Sequence, residues 1–201
     1  DVGVYARQCL WLRQVLAVIS MLALQRSEWL LTTIGVDPSV GPLTAAYLDA
    51  ISWGLPAMYA YLSLRFMSEG IGWTKPIAIV AGLALVANVG LNWILMFGNL
   101  GIPAMGAVGC GASSAITMWI MLATMTFYVS KHSRYREFRI GESFDTPNWS
   151  RIRELLALGL PISASVLSEV GLFSAIGLMM GTLGASVVAA HQIAVNYSGV
   201  M

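Results

Sequence analysis

From Leu158 to Met180 the chain reads LGLPISASVLSEVGLFSAIGLMM, 23 residues with one ionisable side chain, Glu169, near the centre. A helix of that length spans roughly 34 Å at ~1.5 Å per residue, enough to cross the ~30 Å hydrocarbon core of a bilayer. A carboxylate at such depth costs about 3 kcal/mol even on the mildest insertion scales, so it needs water, a cation or a partner. Glu169 is therefore the first candidate for a functional group. The bland alternative is a neutral carboxyl held by Ser165 or Ser168 and serving only to join helices.

The rest of the chain has the same character. It is 57% hydrophobic and only 10% charged, whereas a soluble domain carries about 25% charged residues. The fold class is all-α and polytopic, within a membrane. Asp1 opens the chain with no signal peptide and Met201 ends it inside an apolar stretch, so an internal portion of a longer polytopic protein is expected. Cys9 and Cys110 lie in apolar surroundings and read as small packing residues, without support for a disulfide or a metal pair.

Five full spans and the start of a sixth can be read in order. The first runs from about Cys9 to Leu24, the second from about Leu43 to Leu64 with Asp49 and Pro56 interrupting it. The proline is expected to kink that second span. The connection RFMSEGIGWTKP leads through Pro76 into a third span, about Ile77 to Phe97, and an uncharged turn leads into a fourth, about Ala104 to Val129. Gly106, Gly109, Gly111, Ser113 and Ser114 crowd its first turns, and small residues at this density let helices approach closely. The run GAVGCG is no phosphate loop, since it lies in an apolar span and lacks the following lysine and the strand before it. The fifth span holds Glu169, with the residues from Arg151 to Leu158 near the interface ahead of it, and ASVVAAHQIAVNYSGVM begins a sixth.

The basic residues decide the orientation. Alternating crossings put residues 1–13, 65–75 and 131–153 on one side, and these hold 10 of the 11 Lys and Arg; only Arg26 lies opposite. The positive-inside rule makes that side cytoplasmic. The tract containing Lys131, Arg134, Arg136 and Arg139 then reads as a cytoplasmic loop near anionic lipid, with no call for nucleic acid.

Hydrolytic, redox and ATPase constellations are missing from the sequence, and His132 and His191 are too few and too far apart for zinc. An enzyme is not expected. What remains is a thin polar stripe: Ser165, Glu169 and Phe173 share one helix face, Gln192 and Asn196 another, Asn88 and Asn92 a third. Such groups face a bundle interior or a wet cavity, so each is either a possible cavity-lining residue or an interhelical hydrogen bond. His191 reads as a helix-contact residue, and Asp49 and Glu69 as interfacial charges.

Four stretches carry a family resemblance: NVGLNWILMFGNLGIPAMGAVGCGASSAI (88–116), TKP (74–76), GLPISASVLSEVGLF (159–173) and GASVVAAHQIAVNYS (184–198). Their order and spacing resemble the multidrug and toxic compound extrusion (MATE) transporters, in particular the bacterial NorM-like branch. The resemblance implies part of a twelve-helix, two-lobed MATE-type transporter in the bacterial inner membrane, multi-pass and monomeric. Residues 1–130 would be the second part of the N-terminal six-helix lobe with four transmembrane helices, 131–150 the cytoplasmic inter-lobe linker, and 151–201 the start of the C-terminal lobe.

By the same resemblance Glu169 matches the helix-seven glutamate of the cation-coupling site, and would ligate Na+ in a sodium-coupled member. The acidic residues on helix one and helix ten would lie before residue 1 and after residue 201. The implied activity is secondary active efflux of amphipathic cationic drugs and dyes in exchange for Na+ or H+, with no other cofactor. The implied partners are those small molecules and membrane lipid. Relatives have an FFEVTLF-like run where this chain has LSEVGLF, so Leu167, Ser168 and Gly171 alter the polarity around the carboxylate and leave the coupling ion open. A flippase for a lipid-linked substrate, or a scaffold that transports nothing, are the alternatives.

Overall fold

The structure is a computed structural model and describes residues 2–28, 41–132, 135, 148–181 and 193–195. All its described regular structure is helical: α1 (Val2–Gln25), α2 (Gly41–Ser52), α3 (Leu55–Gly70), α4 (Lys75–Leu95), α5 (Gly106–Lys131) and α6 (Trp149–Gly181). Two compact units divide the chain, Asp1–Ile152 and Arg153–Met201. Four stretches are long and apolar enough to cross a membrane among the described residues: Gln8–Gln25, Lys75–Leu95, Gly106–Lys131 and Trp149–Ile176.

The first unit is a bundle. Both α2 and α3 pack between α1 and α5, and α4 lies against α5. Prolines set three of the starts, since Pro42, Pro56 and Pro76 each occupy the second position of a helix. There the missing N–H has no intrahelical acceptor to lose, and the fixed φ suits the helix.

That geometry alters the expected second span. Instead of a single helix kinked at Pro56, α2 ends at Ser52 and α3 begins at Leu55, with Trp53 and Gly54 as the break. At 12 and 16 residues neither half reaches spanning length alone. Packing requires a glycine at position 54: a β-carbon there would fall 2.8 Å from the Ala115 Cα and 2.5 Å from the Met118 sulfur of α5. The helix also continues past Leu64 to Gly70, which leaves only residues 71–74 as connection to α4.

Between α4 and α5 the chain turns within residues 96–105. Met105 N–H donates to the Leu95 carbonyl at 3.1 Å and Gly106 N–H to the Met96 carbonyl at 3.2 Å, closing the loop on itself. Gly98 has φ +77 and its α-carbon faces the Ala104 backbone, so no side chain fits there. Gly106 has open space around it and φ +54. It serves the turn, not the close packing read for it from the sequence.

One end of this unit gathers the segments assigned to the cytoplasmic side. Tyr61, Leu64, Met67, Val80, Met125, Val129 and Tyr135 form its buried core. The Ser68 and Tyr135 hydroxyls are 2.9 Å apart, and Trp73 Nε1 donates to the Tyr128 hydroxyl at 3.4 Å. His132 stacks on Tyr128 with centroids 5.3 Å apart. The same end holds Gln8, whose Oε1 accepts the Asn148 N–H at 2.8 Å, and Arg151, placed over the Tyr5 ring. Residues distant in sequence meet where the charge count puts one membrane face.

The apolar surface points outward, as expected for helices in lipid. Val15, Ile19 and Leu22 of α1 and Leu85, Val86 and Val89 of α4 are all at least half exposed. In water a surface of this kind would be an aggregation liability; in a bilayer it is the solvated face. The 33 residues of α6 extend roughly 50 Å at ~1.5 Å each, more than a ~30 Å core requires. This leaves room for the polar turns from Trp149 to Glu154 outside the hydrocarbon.

Candidate functional site

The third polar pair, Asn88 and Asn92, sits one turn apart on α4. Opposite it on α5 stand Ser113 and Thr117, also one turn apart and buried. The four side chains form a directed circuit. The Ser113 hydroxyl donates to Asn92 Oδ1 at 2.7 Å, and Asn92 Nδ2 donates to Asn88 Oδ1 at 3.0 Å. Asn88 Nδ2 then donates to Thr117 Oγ1 at 3.3 Å, and the Thr117 hydroxyl returns to the Ser113 carbonyl at 2.7 Å. Each amide thereby uses its oxygen and one N–H within the helix pair.

Such a circuit solves a problem set by lipid, where a polar group without a partner costs several kcal/mol. Gly109 makes the approach possible. A β-carbon on it would meet the Leu95 carbonyl group and come within 3.0 Å of the Met96 nitrogen. The sequence pointed to Asn88 and Asn92 but not to Thr117, and it marked Ser113 only as small. The signal available was the matching four-residue spacing of hydroxyls on the next span. Replacing Asn92 by leucine removes two of the four links. Only the bond from Ser113 crosses between helices, and an average interhelical bond in a membrane contributes about 0.6 kcal/mol, so a loss of about 0.6 kcal/mol in unfolding free energy is expected. Thermal unfolding of the detergent-solubilised complete protein checks it.

The second site lies on α6. Ser165, Glu169 and Phe173 are spaced by four residues along one face, and every residue from Leu160 to Ala175 is exposed. Pro161 lies inside the helix and removes one backbone hydrogen bond from the turn before Ser165. The Ser168 hydroxyl donates to the Ala164 carbonyl of its own helix at 2.8 Å, so it is not the proton partner weighed for Glu169. Among the described residues Glu169 has neither a hydrogen bond nor an ion pair, and no cluster of three His, Cys, Asp or Glu could hold a metal. Glu169 and the Ser165 hydroxyl are two oxygen-bearing side chains one turn apart on the same helix face.

The structure brings the two asparagines together and aligns the three α6 residues on one helix. The α4–α5 circuit belongs to the first unit and Glu169 to the second. Gln192 and Asn196, as well as His191, lie outside the described residues. Cys9 and Cys110 are free thiols, each half-buried.

The chain is similar to known proteins along nearly its whole length. The chain is 38% identical over 194 residues to the multidrug resistance protein NorM of Aliivibrio fischeri, covering 96% of this chain and 42% of that protein. It is 38% identical over 195 residues to a probable NorM of Acinetobacter baylyi, with 97% and 43% covered. The multidrug resistance protein MdtK of Photorhabdus laumondii is 36% identical over 196 residues, again 97% and 43%. The MatE family model matches residues 1–94. The chain belongs to the MatE family, in its NorM-like branch. It spans about two-fifths of the length of the curated relatives it matches. This MatE chain is a multi-pass protein of the bacterial inner membrane.

Proposed function

We propose that the chain supplies helices three to eight of a twelve-helix, two-lobed antiporter that exports amphipathic, cationic drugs and dyes in exchange for Na+ or H+. Residues 1–130 belong to the first lobe, 131–150 form the cytoplasmic linker, and 151–201 open the second lobe. The single observation that carries this reading is Glu169, a carboxylate without a described partner in the middle of an apolar helix of spanning length. A carboxylate at that depth needs a cation, a proton or water to offset its charge, which suits it to a coupling site. The names of the relatives, multidrug resistance proteins, support the substrate class.

In this cycle the coupling ion binds at Glu169 with the help of later helices and favours the outward-open state, where substrate affinity is lower. Such coupling works only because the two states bind the ion differently. Ser165 and Phe173 line the approach to Glu169 on the same face, and Gln192 and Asn196 line the cavity from the next helix. The remaining N–H on each of Asn88 and Asn92 is the group they offer to a cavity in the first lobe.

The test uses the complete protein in proteoliposomes, with Na+ and pH gradients imposed separately and ethidium as reporter. Ethidium movement driven by one gradient is the expected result, and that gradient names the ion. Absence of movement under either gradient, in folded protein, overturns the antiporter reading.

A further inference from the structure

Two arginines from different helices converge on one aromatic ring at the end of the bundle where the basic segments gather. Arg13 of α1 lies with its guanidinium carbon 5.0 Å from the centroid of Phe66, and Arg65 of α3 lies 5.9 Å from the same centroid. Arg13 Nη1 donates to the Ser63 hydroxyl at 3.3 Å, and that hydroxyl donates onward to the Tyr59 carbonyl at 3.2 Å. Arg65 gives its Nε–H to Glu69 at 2.9 Å. Both guanidiniums are therefore held in place by an aromatic face and one hydrogen bond each.

Their donors are mostly unspent. A guanidinium carries five N–H groups, and here each has one committed in the hydrogen bonds above. Among the described residues Arg13 has no carboxylate partner, and Glu69 engages only the inner nitrogen of Arg65. The cluster of two cations and one anion keeps net positive charge. Arg65, Glu69 and Phe66 are between a third and a half exposed, so the cluster is open to its surroundings.

Those surroundings are apolar. Leu16, one turn deeper along α1, is 43% exposed, and Leu62 of α3 is partly buried one turn below Phe66. A ligand seated here meets forked guanidinium donors at its head and hydrocarbon-compatible side chains along its length. Guanidinium forks match phosphate oxygens bidentately, and basic pockets between helices on the cytoplasmic side attract anionic lipid headgroups.

We propose that the Arg13–Phe66–Arg65 cluster at the seam of α1 and α3 is a binding site for the headgroup phosphate of an anionic phospholipid, with Arg13 and Arg65 holding the phosphate and Phe66 setting their spacing. A soluble phosphate ester lacks the chains that would occupy the apolar wall.

The test uses the complete protein, purified and delipidated in detergent, titrated with phosphatidylglycerol and with phosphatidylcholine. The binding is read by native mass spectrometry. Wild type is expected to prefer phosphatidylglycerol, and Arg13→Gln and Arg65→Gln each to reduce that preference about fivefold, matching the ~1 kcal/mol that one basic residue contributes near an anionic surface. Arg26→Gln, on the opposite side of the charge count, is expected to leave it unchanged. Should the glutamine variants fail to fold, Phe66→Leu provides a second arm and is expected to weaken phosphatidylglycerol binding while keeping both charges. Equal binding of the two lipids, or an unaltered preference in the folded variants, overturns the proposal. Displacement of the lipid by glycerol phosphate at equal concentration also overturns it, since the site would then be one for soluble anions.

Discussion

Gly109→Ala is expected to prevent folding or to destabilise the first compact unit by upwards of about 2 kcal/mol, at the high end for overpacking. The reason is what the methyl group would meet. Its neighbours are the carbonyl of Leu95 and the nitrogen of Met96, backbone atoms that cannot rotate away as a side chain would. Those same two residues close the loop through the Met105 and Gly106 hydrogen bonds, so a displaced α4 end loses them as well. The Asn92–Ser113 bond lies about one turn away and would stretch with it. Gly111→Ala is expected to act in the same direction, through the Tyr47 carbonyl 2.8 Å from the added carbon. Gly90→Ala is the control, because nothing lies within 4 Å of its position. Yield of monodisperse protein and thermal unfolding in detergent measure all three. A neutral Gly109→Ala would mean that α4 and α5 are not as close as described.

Much of this architecture was legible because lipid imposes few solutions. Long apolar runs gave the spans around Cys9, Ile77, Ala104 and Leu158 to within a few residues at most ends, and Pro76 marked its helix start. The break at Trp53–Gly54 was less legible. Proline is the louder local signal, but its preferred place is the start of a helix, and the reason for Gly54 is the approach of Ala115, 61 residues away. Long-range contacts of that kind leave no mark in local pattern.

The candidate sites divide in the same way. Asn88 and Asn92 stood out because amides are conspicuous among aliphatic residues, whereas Thr117 did not, since hydroxyls are common in membrane helices and usually bond their own backbone. Ser113 does both, bonding Cys110 O at 2.9 Å and Asn92 at 2.7 Å. Only the facing helix distinguishes it from Ser114, which bonds Cys110 O alone at 2.9 Å. Glu169 was plain from depth and charge.

The second large effect concerns Glu169 itself. Glutamine has nearly the same shape and keeps hydrogen-bonding capacity, but it neither titrates nor carries charge. If the carboxylate is the coupling group, Glu169→Gln removes ion exchange and leaves the helix intact, since the side chain is exposed and makes no described contact that folding needs. Stability is expected to be unchanged or slightly improved, because an amide costs less than a charge in an apolar setting. Transport is expected to fall to the leak rate.

The direct measurement is ethidium flux in proteoliposomes holding wild type or Glu169→Gln, under the gradient that drives the wild type. Flux in the variant indistinguishable from protein-free liposomes, with matched unfolding temperature and incorporation, is the predicted result. Gradient-driven flux in Glu169→Gln equal to wild type would contradict the account and leave Glu169 a residue of helix packing alone.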